Sequence, residues 1–117
     1  MTAEHERRGA LEALDRILNR GGDADDVLRD VLAVLFRLYA YVGIRFLESG
    51  RLVDGPSLGK RDDHAEPFSV VFDSIEVARL EVAWPGSEDR AFLERVALLI
   101  SPYALVGWDT GGESWAP

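Results

Sequence analysis

Hydrophobic positions first recur at helical spacing. From about Ala3 to Arg20, Leu11, Leu14, Ile17 and Leu18 share one face, with Glu12, Asp15, Arg16 and Asn19 outside it. Gly21-Gly22 ends this helix, because glycine takes left-handed dihedrals at little cost. A second helix opens on Asp23, Asp25 and Asp26, acids suited to the positive end of a helix dipole, and runs to about Tyr39. Apolar residues from Val27 to Leu38 cover most of its circumference and leave Asp26, Arg29, Asp30 and Arg37 as a narrow polar stripe. A helix so apolar is buried on more than one side, which places it between a sheet and another helix.

The period then shortens to two. In Tyr41 to Glu48, Val42, Ile44 and Phe46 alternate with Gly43 and Arg45, the pattern of a half-buried strand. Ser49-Gly50 predicts a tight turn into a short strand, Arg51 to Asp54, and residues 55–66 read as a polar loop. Strands at Pro67 to Asp73 and Ile75 to Trp84 form a second hairpin across Asp73-Ser74, with Trp84 in the core. Pro85-Gly86 breaks the chain, Ser87 is positioned to cap the last helix, and Glu88 and Asp89 fill its first turn. Phe92, Leu93, Val96, Leu99, Ile100 and Tyr103 form its buried stripe. Pro102, which cannot donate a backbone hydrogen bond, predicts a kink there or a restart capped by Ser101. The expectation is an α+β domain over residues 1–109, in the order α-α-β-β-β-β-α, with 110–117 a flexible tail.

Composition narrows the function. The 117 residues suffice for one core, and 47 % hydrophobic with 29 % charged residues is a globular balance. A net charge of −8 argues against nucleic acid and against an anionic membrane surface, both of which require a basic face. The chain has no cysteine, which excludes disulfides, thiolate catalysis and sulfur-ligated zinc. The charged N-terminus lacks the apolar stretch of a signal peptide, and the charge-free run Val96 to Trp108 is short for a bilayer. Together these predict a cytoplasmic protein.

Several strings within this order resemble the GAF domain family over nearly the whole chain. They are the Gly-Gly-Asp break with Asp26-Val27-Leu28-Arg29-Asp30-Val31-Leu32, then Tyr41 to Leu47 followed by Gly50-Arg51-Leu52-Val53, and Val77 to Ala83 leading into Gly86 to Leu93. The resemblance implies a central antiparallel sheet of about four strands, GAF/profilin-like, with the terminal helices on one face and a small-molecule pocket on the other. It implies a roof over that pocket from an insertion between the second and third strands, here shortened to residues 55–66. It also implies dimerisation through terminal helices, for which Tyr103, Leu105, Val106 and Trp108 are the candidates. A roadblock- or profilin-type topology fits the same element order. Leu52 to Gly59 is similar to a segment of free methionine sulfoxide reductases, whose cysteine chemistry has no counterpart here.

The sheet face opposite the helices holds the candidate ligand-binding residues. Alternation places Tyr41, Gly43 and Arg45 there with Arg79, Glu81 and Ala83, and His64 lies in the bordering loop. Tyr41, Arg45, Arg79 and His64 are the candidates for a small anionic ligand, since guanidinium groups match carboxylate and phosphate. The simpler reading of the same residues, and the one their type favours, is a solvated face crossed by ion pairs, since exposed charge pairs are common. His64 beside Asp62, Asp63 and Glu66 has the donor types of a metal site, but one loop histidine among acids is far more often simply solvated. No catalytic residue, cofactor or metal is expected. The reading is a sensor or signalling module, homodimeric, binding a small anion or a signalling protein; the alternative is a purely structural interaction module without a pocket.

Overall fold

The computed structural model describes residues 3–61 and 63–108, with residues 3 and 105–108 described by backbone only. Its elements are α1 (Ala3–Arg20), α2 (Ala24–Leu35), β1 (Tyr41–Glu48), β2 (Arg51–Gly59), β3 (Ala65–Phe72), β4 (Ile75–Ala83), a 3₁₀ turn (Ser87–Asp89) and α3 (Arg90–Trp108). This is the α-α-β-β-β-β-α order expected from the sequence. The strands form one antiparallel sheet in the order β2-β1-β4-β3, so the two hairpins meet through their first and last strands. Both hairpin turns are two residues long with both residues at positive φ, 52° and 79° at Ser49-Gly50 and 55° and 69° at Asp73-Ser74. That backbone matches the twist of the flanking strands.

One sheet face makes the core. Val42, Ile44 and Phe46 lie beside Ala78, Leu80 and Val82, and Phe68 and Val70 extend the row, all buried. Helix α3 packs across β3 and β4, and α2 packs on β2 and β1 while touching α3. Helix α1 rides on α2, burying Ala10 and Leu14 and leaving Leu11, Ile17 and Leu18 half-buried. Thus α2 is enclosed on several sides, as its apolar circumference requires. Among the described residues no helix is long and apolar enough to cross a membrane.

Local chemistry moves several boundaries. Helix α2 stops at Leu35 rather than Tyr39, and its last turn tightens through Arg37 N–H to Val34 O and Leu38 N–H to Leu35 O. Strand β2 runs on to Gly59 where the sequence predicted a loop from Gly55, because a bulge opposite Gly43 to Arg45 absorbs the turn-like Gly-Pro pair. Ser87 begins a 3₁₀ turn instead of capping α3: Asp89 accepts a hydrogen bond from Gly86 N–H at 2.7 Å, and its own N–H returns to Gly86 O at 3.0 Å. Helix α3 passes through Pro102 without restarting. Ser101 does not cap a new helix; its hydroxyl donates to Leu98 O at 2.9 Å, the carbonyl that Pro102 cannot serve. Trp84 is not core but 63 % exposed, because the chain leaves the sheet there at φ 56°.

Candidate functional site

Register decides what faces away from the helices. Gly43 lies opposite Glu81, and Arg45 opposite Arg79. On the flanking strands Ser57 and Asp54 lie beside Gly43 and Arg45, and Pro67 and Ser69 beside Glu81 and Arg79. The face is covered at one end and open at the other. Tyr41, Gly43, Glu81 and Ala83 are buried, whereas Asp54, Ser69 and Val71 are exposed.

Glu81 is the centre of the covered end. Only 5 % of it is exposed, an unusual place for a carboxylate unless it is paired. Arg61, reaching in from the β2–β3 connection, grips both carboxylate oxygens, Nε to Oε1 at 2.9 Å and Nη2 to Oε2 at 3.3 Å. This is the forked geometry in which a guanidinium binds best. Arg45 approaches the same carboxylate at 3.7 Å and donates from Nε to Asp54 at 3.1 Å. The Asp54 side chain is 90 % exposed, so water screens its charge far more than that of Glu81. The hydrogen bond to Glu81, then its charge, holds the Arg61 proton more firmly than usual.

Tyr41 lies beneath this pair, its ring folded over Gly43, where any Cβ would collide with the Tyr41 hydroxyl. Burial raises the Tyr41 phenol above its ordinary pKa, and the nearby charge of Glu81 raises it further. The phenol therefore stays neutral at physiological pH. Arg79 does not join the cluster. It faces Glu76 on its own strand at 3.1 Å. His64 sits at the end of the sheet, stacked on Trp84 with ring centroids 3.7 Å apart, while Glu66 pairs with Arg90 at 3.6 Å. Among the described residues no three of His, Asp and Glu are grouped to hold a metal ion. Of the residues assigned to a dimer, Tyr103 is half-buried, and the side chains of Leu105, Val106 and Trp108 lie outside the described part, as does the tail 110–117.

Of the sequence candidates, Tyr41 and Arg45 thus meet, and Arg79 and His64 stand apart from them. Arg61 was missed, because Lys60-Arg61-Asp62-Asp63 reads as an ordinary charged turn. Its role follows from topology: β2 and β3 are opposite edges of the sheet, so the segment joining them must cross β1 and β4.

The crystal structure of the GAF domain from Acinetobacter phosphoenolpyruvate-protein phosphotransferase superposes with a TM-score of 0.66, covering 97 % of this chain and 100 % of that one at 12 % identity. The fold is that of a GAF domain. No protein-family model matches the sequence, and no curated protein sequence does either. At that identity the likeness concerns the path of the GAF chain and not its ligand. In this chain a five-residue link, 60–64, joins β2 to β3, and Arg61 within it reaches Glu81.

Proposed function

We propose that the chain is a non-catalytic GAF-type sensor module that binds a small anion on the sheet face of Arg45 and Arg61. The observation that carries this reading is the convergence of two guanidinium groups on one buried carboxylate, with the second counter-ion of Arg45 out in water. An incoming carboxylate or phosphate competes with Glu81 for donors already pointed into a covered site. The non-catalytic part rests on the chemistry of these groups. Arginine keeps its proton in proteins, Tyr41 is held neutral, and Glu81 has both oxygens engaged, so the cluster binds charge rather than moving protons. Thermal-shift titration with inorganic phosphate and succinate tests it. Stabilisation that disappears in Arg45→Ala supports the site, and stabilisation of equal size in that variant removes it.

A second reading, a protein-interaction or homodimeric module, is favoured by α3. Leu98 is 67 % exposed in the middle of that helix, with Pro102 exposed one turn on and Leu99 and Tyr103 half-buried beside them. Solvent-facing apolar residues grouped on a helix suit an interface. Sedimentation of the wild type against Leu98→Glu tests the homodimer: a dimer lost in the variant supports the interface, and a monomeric wild type at high micromolar concentration ends the homodimeric form of this reading.

A further inference from the structure

We propose that the Arg61–Glu81 pair fixes the position of Trp84, so that an event at the covered carboxylate is reported at an exposed aromatic at the sheet's end. The anion trigger rests on the reading above; the coupling itself rests on contacts within the chain.

The β2–β3 connection is short and runs from one sheet edge to the other. Gly59 and Ala65 belong to opposite edges, three strand spacings or about 14 Å apart. The six Cα steps between them reach about 20 Å when extended. Both ends are fixed. Gly59, at φ 90°, has its back against the Ala40 carbonyl, and Ala65 is in register with Ala83. Within that span Arg61 is held by Glu81, and three residues later His64 is held by Trp84.

Trp84 meets His64 twice. Its backbone N–H donates to His64 O at 3.3 Å, just past the last β3–β4 pair, and its ring stacks on the imidazole at an interplanar angle of 21°. Its φ of 56° is a strained value for a bulky side chain, and with 63 % exposure burial does little to keep it there. His64 is the neighbour that holds this backbone, and Arg61 limits where His64 can go. When Arg61 leaves Glu81, His64 gains freedom and Trp84 relaxes toward an ordinary extended backbone. Two arrangements of one residue, biased from a site on the sheet, constitute a coupling that can be measured.

Amide exchange at Trp84 tests this in the intact protein. Arg61→Ala is expected to speed that exchange about tenfold or more, as is Glu81→Gln, while Arg20→Ala, which breaks the exposed Arg20–Asp30 pair, leaves it unchanged. His64→Ala should loosen the same amide, and Arg61→Ala should then add little, because both act through one path. An unchanged Trp84 amide in Arg61→Ala, or effects of Arg61→Ala and His64→Ala that simply multiply, overturns the proposal. Inorganic phosphate separates the two ideas. If it leaves the wild-type amide unmoved while Arg61→Ala accelerates it, the coupling stands and the anion reading fails.

Discussion

Tyr39 holds its hydroxyl in the core near Asp89, and among the described residues no partner meets it in full hydrogen-bond geometry. Burial, and secondarily Asp89, raises this phenol well above its usual range. The unfolded phenol ionises near pH 10. The folded one keeps its proton, so its contribution is intact below that pH and stability falls as pH rises beyond it. Tyr41 acts in the same direction. Tyr39→Phe is therefore expected to be neutral or stabilising by up to about 1 kcal/mol at pH 7, and to flatten the alkaline loss. Urea denaturation at neutral and alkaline pH checks both points; a clear loss of stability at pH 7 would instead reveal a bond from Tyr39 to Asp89. Ser74 offers a second test, since its left-handed φ of 69° suits glycine. Ser74→Gly should stabilise by about 1 kcal/mol in the same assay. At this scale the sequence was least informative about burial: Glu81 reads as an ordinary outward strand acid, and its 5 % exposure depends on a residue twenty positions away.

Elements with a clear period were legible, and those interrupted by glycine or proline were not. Strand β1 and helix α2 were recognisable from apolar spacing alone, whereas β2 looked like a loop after Asp54. Gly55 is required there by close approach, because a Cβ would strike the Phe46 ring and the Ile44 carbonyl. A residue that packs so tightly is indistinguishable in sequence from one that merely turns. Helix α3 presents the converse case, where Pro102 suggested a break that Ser101 repairs by donating to Leu98 O. Ser101→Ala is expected to cost about 1 kcal/mol. In a Pro102→Ala background the restored backbone N–H serves Leu98 O, and the cost should shrink. A double-mutant cycle measured by thermal unfolding decides it, and equal costs in both backgrounds refute the repair.

For the molecule as a whole, fold and site differ in how much one sequence reveals. The α-α-β-β-β-β-α order was readable because helix and strand periods, hairpin turns and breaks all agree locally, and its likeness to GAF domains was readable from particular strings within that order. Tyr41 and Arg45 were readable because strand alternation places both on one face. Arg61 was not, since its position is set by a link crossing the sheet between opposite edges, a consequence of strand order that no local pattern records. Trp84 was assigned to the core by extending the alternation one residue past the point where the backbone turns. The central claim is that the two guanidinium groups gathered on this covered carboxylate form an anion site in a non-catalytic GAF-type module. Its most direct test is an NMR titration with inorganic phosphate, following the side-chain Nε–H signals of Arg45 and Arg61 and the amide of Glu81. The account predicts saturating shifts concentrated at those three groups, with the Arg61 response lost in Arg45→Ala; shifts that do not saturate, or that persist unchanged in that variant, would contradict it.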